Sequence, residues 1–196
     1  MENIDAPSLA HYPCNTLTSV DTTRILHDIS SALDSMHRSG FAHNDIKPAN
    51  ILFSTARGAV LIDFGLSTEL LDRAVYTGGT PWYMPPEFKK RQGKRGTPGD
   101  VFALGVVMLY VLGKLPLLEL HAPRLQWRIA EALNPMSDAA KTMDAWQGIV
   151  QQAAEHLDVA SSGLNILVKE LVAEEPEDRI SLDDLLQSLS ALRRDG

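Results

Sequence analysis

The chain contains one cysteine, Cys14, in 196 residues. A single thiol cannot close an internal disulfide. With no His/Asn pair at a known spacing, Cys14 reads as a spectator rather than a nucleophile. Long apolar runs are also missing. The longest, Val101–Leu112, is broken only by Gly105 and falls well short of the ~20 residues that cross a bilayer. It reads as a buried core helix. Positive charge is in deficit, with a formal charge of −7, which argues against binding nucleic-acid phosphates or an anionic membrane. The one basic cluster, Lys89, Lys90, Arg91, Lys94 and Arg95, lacks interleaved aromatics and reads as an exposed loop. No basic stretch leads into an apolar one near Met1, so cytoplasm or nucleus is the expected address.

Against these absences stands a hydrophobic content of 44%, enough to bury one good core and consistent with a single domain. Residues 1–20 hold Pro7, Pro13 and several Ser/Thr and read as an irregular lead-in. From about Asp21 the apolar residues Ile25, Ile29, Leu33 and Met36 fall on one helical face, and Gly40 is a natural stop. Ile51–Phe53 and Ala59–Ile62, separated by "STARG", predict a small hairpin. Residues 64–99 show too little periodicity for a regular element and read as a long functional loop. Helices are expected over Val101–Leu112, Arg124–Leu133, Asp138–His156, Leu164–Ala173 and Leu182–Arg193, the last with Ser181 and Asp184 as a capping-box-like start. No internal repeat or low-complexity tract is present. The expected class is mainly α with one small hairpin.

One stretch is out of keeping with burial. "FAHNDIKPANILF", residues 41–53, sets Asp45, Lys47 and Asn50 inside an otherwise apolar run. Alone, Asp-x-Lys in a helix–strand loop is an ordinary solvated turn. It is followed in order by "DFG" (63–65), "GTPWYMPPE" (79–87), "DVFALGV" (100–106) and "EDRI" (177–180). Their order and spacing, from His43 to Ile180, resemble the C-terminal lobe of eukaryotic protein kinases.

The resemblance implies an α+β family fold and phosphoryl transfer from Mg·ATP, which depends mostly on positioning and charge stabilisation. It makes Asp45 the catalytic base, and Asn50 and Asp63 the metal ligands. Lys47 would neutralise charge on the transferring phosphate, as in serine/threonine members. Thr80 would hydrogen-bond near Asp45 and Lys47. The hinge-like residues Met1, Glu2 and Ile4, with Leu52, Asn50 and Asp63, would contact the nucleotide. His43, Glu87, Asp100 and Arg179 are implied as structural: Glu87 and Arg179 as a buried ion pair, and Asp100 as a cap on the central helix that holds the catalytic loop from beneath.

Four features depart from the family pattern. Asn44 stands where most members have the Arg that receives an activation-segment phosphate, which weakens Tyr76 and Thr77 as phosphosites. Pro86 replaces the usual Ala, and "DVFALG" the common "DVWSLG", without threat to the fold. The largest departure is that the chain carries no G-x-G-x-x-G loop, V-A-I-K-type lysine or partner glutamate, and the stretch before Thr22 is too short for a small β-rich lobe. On this reading residues 1–20 resemble the hinge and its lead-in, residues 21–196 the lobe below it, and half of the nucleotide site is absent.

Three functional expectations follow. The first is a serine/threonine kinase lobe whose small lobe comes from another chain or was left out of this stretch. The second is a lobe acting alone, with Asp45 and Lys47 as an acid–base pair on a small molecule or peptide. The third is a non-catalytic, pseudokinase-like interaction module that uses the uncovered apolar face, in a homodimer or with another protein. Under any of them, Met1–Tyr12 is where a substitute roof over the cleft would be sought.

Overall fold

The computed structural model describes residues 4–13, 16–71, 78–90, 96–117 and 129–192. Among them are helices α1 (Ser19–Arg38), α2 (Glu87–Lys90), α3 (Thr97–Val111), α4 (Ile129–Ala132), α5 (Asp138–Glu155), α6 (Gly163–Leu171) and α7 (Leu182–Leu192). Four short strands accompany them: β1 (Phe41–Ala42), β2 (Ile51–Ser54), β3 (Gly58–Leu61) and β4 (Thr68–Glu69). No helix among the described residues is long and apolar enough to cross a membrane.

Helix α1 begins two residues earlier than its apolar pattern indicated, because Thr18 and Asp21 form a capping box. The Thr18 Oγ1 accepts the Asp21 N–H at 3.1 Å, and the Asp21 carboxylate accepts the Thr18 N–H at 3.2 Å. Two otherwise orphaned donors are thereby satisfied. At the other end Gly40 takes φ +86°, a left-handed conformation that lets the chain reverse into β1. The buried face, Ile25, Leu26, Ile29 and Leu33, packs into the main core.

The β2–β3 hairpin is antiparallel, with Ile51 opposite Leu61 and Ser54 opposite Gly58. Gly58 has φ +96°, and a Cβ there would lie 2.3 Å from the Asp28 carboxylate. That carboxylate accepts the Ala59 N–H at 3.0 Å, so α1 holds the hairpin by a side-chain-to-backbone bond as well as by packing.

Helix α3 is buried from Asp100 through Val111. It is apolar on every side, as befits a helix enclosed by other elements. At Gly105 it meets α6 so closely that a Cβ would sit 2.5 Å from Val172 and 2.8 Å from Leu171. A smaller apolar cluster of Met84, Phe88, Ile129, Ala132, Ala139 and Met143 joins α2, α4 and α5. The α7 start is held by Ser181 and Asp184, whose backbone N–H reaches the Ser181 Oγ at 3.1 Å.

Two expectations need correction. Residues 64–99 are not free of regular structure: Thr68–Glu69 pairs with Phe41–Ala42, Glu87–Lys90 is helical, and α3 already begins at Thr97. These pieces are too short for a periodic signal, and they form because distant partners supply their bonds. Asp100 is not the cap of α3. Gly96 holds that position, and the Asp100 carboxylate instead faces the loop of residues 43–50.

The lead-in joins the same core. Leu9 is fully buried, Pro7 accepts the Phe53 N–H at 3.0 Å, and Ser8 bridges to Leu52. The Tyr110 hydroxyl of α3 donates to the Tyr12 carbonyl at 2.7 Å. Residues 7–12 are thus attached to β2 and α3. Cys14, Tyr76, Thr77, Arg91, Lys94 and Arg95, and the expected helical residues 124–128, lie outside the described residues.

Candidate active site

The loop of residues 43–50 runs from β1 to β2 and is held from below by Asp100. One oxygen of the Asp100 carboxylate accepts the His43 N–H at 2.7 Å and a bond from His37 Nε2 at 2.9 Å; the other accepts the Asn44 N–H at 2.8 Å. Asp100 is 2% exposed, and a carboxylate buried this deeply requires such donors. These bonds cross more than fifty residues of sequence, so the loop takes its shape only when α3 is in place.

His43 is wholly buried. Its Nδ1 accepts the Asp45 N–H at 3.3 Å, and its Nε2 reaches the Ile62 carbonyl at 3.2 Å. That pairing requires a neutral ring with the proton on Nε2. Burial favours the same state, pushing the imidazole below its ordinary 6.5 against the opposing pull of Asp100 and the Ile62 carbonyl. The ring also meets the edge of Phe64 at 5.2 Å. His43 therefore joins the 43–50 loop to the chain that carries Asp63.

Asn44 follows with φ +66°, a left-handed conformation that Asn tolerates better than most residues. Its side-chain amide donates to the Leu66 carbonyl at 3.0 Å and to the Thr68 hydroxyl at 2.9 Å. The residue out of family pattern is thus bonded to the chain just past "DFG".

Asp45, Lys47 and Thr80 form a closed triangle. The Thr80 hydroxyl donates to Asp45 Oδ1 at 3.0 Å, Lys47 Nζ donates to the Thr80 oxygen at 3.0 Å, and Lys47 Nζ lies 2.8 Å from Asp45 Oδ2. Asn50 completes it, its Nδ2 donating to Asp45 Oδ2 at 3.0 Å and to the Asp45 carbonyl at 2.9 Å. Asp45 is 8% exposed and Asn50 5%, while Lys47 and Thr80 are half-buried. A carboxylate so gripped has one fixed orientation, and a narrow cleft lined by Asp45, Thr80, Tyr83 and Met84 opens beside it.

Asp63 is exposed, with φ +64° and one carboxylate oxygen accepting the Gly65 N–H at 3.2 Å. The Asn50 amide nitrogen is turned to Asp45, so its oxygen is the atom of that side chain that could face a cation. No group of three or more His, Cys, Asp or Glu among the described residues could hold a metal. An amide oxygen and one carboxylate suit Mg²⁺, which keeps several waters and takes further ligands from substrate phosphates. Of the expected nucleotide contacts, Leu52 on β2 and Ile4 are half-buried; Met1 and Glu2 lie outside the described residues.

Glu87 and Arg179 come together as a bidentate pair, at 2.8 and 2.7 Å. The remaining guanidinium donors go to the carbonyls of Ala173, Pro98 and Glu174, and the guanidinium carbon lies 4.9 Å from the centre of the Phe102 ring. Lys89 and Lys90 of the basic cluster are bonded to Asp144 and Glu175.

Sequence reasoning missed His37, which braces Asp100, and Trp146 and Gln147, which reach the segment after Thr80. None has a local signature, since each acts on an atom more than sixty residues away.

Residues 1–189 match the family model described as the protein kinase domain. Among similar proteins, the CBL-interacting serine/threonine-protein kinase 8 of Arabidopsis thaliana is 34% identical over 59% of this chain and 27% of its own. The serine/threonine-protein kinase hippo of Drosophila melanogaster is 31% identical over 88% of this chain and 24% of its own. The calcium/calmodulin-dependent protein kinase cmkB of Emericella nidulans is 28% identical over 85% of this chain and 39% of its own. The chain belongs to the protein kinase family, and its mainly helical architecture with few strands agrees with a kinase-like lobe. It spans between about a quarter and two fifths of the length of these relatives.

Proposed function

We propose that this chain is the catalytic-loop lobe of a serine/threonine protein kinase, transferring the γ-phosphoryl group of Mg·ATP to a protein or peptide hydroxyl. Residues 1–20 are its hinge-like lead-in. The small lobe is supplied by another chain or lies outside this stretch. The observation that carries this reading is the Asp45–Lys47–Thr80 triangle with Asn50 against Asp45. It places a carboxylate, a cation and a hydroxyl within hydrogen-bond reach of one another beside an open cleft. Asp45 orients the acceptor hydroxyl and takes its proton as the acceptor oxygen bonds to phosphorus; the bond to the β-phosphate oxygen breaks and ADP leaves. Lys47 stabilises charge on the transferring group. Asn50 and Asp63 would hold Mg²⁺, which would screen the phosphate oxygens. Leu52 and Ile4, with Met1 and Glu2, would meet the nucleotide base.

A second observation bears on partners. Phe41, Phe64, Leu70 and Leu71 are 40%, 54%, 40% and 90% exposed, an apolar surface that a small lobe, a second copy or another protein would cover. It also supports the reading of a non-catalytic interaction module.

The test is Mg·ATP binding and γ-phosphate transfer to a generic basic protein, for the chain alone and with candidate partners, with Asp45→Asn as control. Transfer lost in the control supports the proposal. Absence of nucleotide binding under every condition defeats it. Turnover of an unrelated small molecule or peptide that vanishes in Asp45→Asn would replace it with stand-alone acid–base chemistry.

A further inference from the structure

The segment after Thr80 is gripped from outside by helix α5. Pro81–Tyr83 forms one 3-10 turn, closed by the Tyr83 N–H on the Thr80 carbonyl and the Met84 N–H on the Pro81 carbonyl, both at 3.2 Å. Such a turn is short and has little stability of its own. Two buried side chains of α5 grip it: Trp146 Nε1 donates to the Trp82 carbonyl at 2.6 Å, and Gln147 Nε2 donates to the Met84 carbonyl. The Trp82 and Trp146 rings meet edge to face at 5.5 Å. Carbonyls on either side of Tyr83 are thus anchored to consecutive residues of one helix. The turn begins at Thr80, whose hydroxyl lies 3.0 Å from both Asp45 and Lys47.

We propose that Trp146 and Gln147 are positioning residues that set the acceptor side of the site, acting through Trp82 and Met84 on Thr80. Resting on the phosphoryl-transfer reading, the inference gives α5 a role in how a hydroxyl-bearing protein substrate is seated. Met84 and Tyr83 line the cleft beside Asp45, so displacing their backbone moves the wall that such a substrate meets. The nucleotide-side groups are held elsewhere: Asn50 donates to Asp45, and Asp63 accepts the Gly65 N–H.

The experiment uses Trp146→Phe, which keeps a ring but loses the N–H, and Gln147→Met, which keeps the shape but loses the donor. Amide hydrogen exchange at Tyr83 and Met84 is followed with α3 amides as the internal reference, alongside phosphate transfer to a basic acceptor protein. The expected result is at least tenfold faster exchange at Tyr83 and Met84 with α3 unchanged, and a severalfold rise in KM for the acceptor with KM for ATP unmoved. Unchanged exchange in both variants overturns the proposal, as does faster exchange with an unaltered acceptor KM. If Trp146→Phe also loosens α3, Gln147→Met decides. If the wild-type protein transfers no phosphate either alone or with candidate partners, the phosphoryl-transfer reading falls, and the exchange data alone decide whether α5 holds the turn.

Discussion

Arg179 meets Glu87 face to face, with one guanidinium nitrogen 2.8 Å from one carboxylate oxygen and another 2.7 Å from the second. Both side chains are buried, at 2% and 7% exposure, and the pair joins α2 to the chain entering α7 across ninety-two residues. Removing one member leaves the other charged in a dry site, which costs far more than the intact pair contributes. Arg179→Met is therefore expected to lose ~3–5 kcal/mol in urea unfolding. The double variant Glu87→Gln/Arg179→Met should recover part of that loss. A double variant no more stable than Arg179→Met would show that the carbonyl bonds of Arg179, and not its charge partner, dominate.

Asp45→Asn is expected to lower phosphate transfer by roughly 10²–10⁴, the usual contribution of a general base. Nucleotide affinity should change little, while the unfolding midpoint should fall, because the amide keeps an acceptor for Thr80 but turns an N–H toward the Lys47 and Asn50 donors. Single-turnover transfer and a direct nucleotide titration separate these effects.

Asp100→Asn replaces a carboxylate that accepts three donors with a group that must turn an N–H toward one of them. A loss of at least ~2 kcal/mol is expected, with faster amide exchange at His43 and Asn44 than elsewhere. Uniformly faster exchange over the whole chain would place the effect in the core instead of the loop.

Stability should fall with acidification because of His43. Burial holds its folded-state pKa below the ordinary 6.5, so below about 6.5 the unfolded chain binds a proton that the folded chain refuses. The contribution is fully present above 6.5 and is lost as pH falls from there toward the lower folded-state value. Urea unfolding at pH 7.5, 6.5 and 5.5 (about one unit either side of the ordinary value) should show a steeper decline for wild type than for His43→Gln. Parallel curves would refute this.

Gly105→Ala puts a methyl group 2.5 Å from Val172 and 2.8 Å from Leu171. Helix propensity favours Ala over Gly by about 1 kcal/mol, yet overpacking costs typically 1–3 kcal/mol. A net loss in thermal stability is expected, and Gly105→Ala/Val172→Ala should restore much of it. A stabilised single variant would mean that α6 yields without cost.

Much of this molecule was readable before any coordinates, and for unequal reasons. Helices α1, α5, α6 and α7 declare themselves through apolar faces at helical spacing, and the β2–β3 hairpin through two apolar runs around a turn-rich spacer. The Thr18–Asp21 cap was legible as a Thr-x-x-Asp pattern but was overlooked in favour of the first apolar residue. The motif residues Asp45, Lys47, Asn50, Asp63 and Thr80 stand at family spacing, yet spacing alone does not say that Thr80 bonds to both Asp45 and Lys47. The β1–β4 pairing is two residues long and lies below any periodic signal. Trp146, Gln147 and His37 act on partners more than sixty residues away, where a single sequence carries no mark of the pairing. The family resemblance implied for Asp100 both a cap and a hold on the loop from beneath; its bonds run outward to the loop, while Gly96 takes the cap position.

Helix α3 has a consequence for the order in which the molecule is made. Asp45, Lys47, Asn50 and Asp63 all precede the Asp100 carboxylate that shapes His43 and Asn44, and Tyr110, which ties down Tyr12, comes later still. Contacts of such separation carry the entropic cost of closing long loops before they return anything. A nascent chain from which α3 has not yet emerged lacks the Asp100 bonds that shape the His43–Asn44 turn. The loop is shaped late, when the central helix closes against both it and the lead-in.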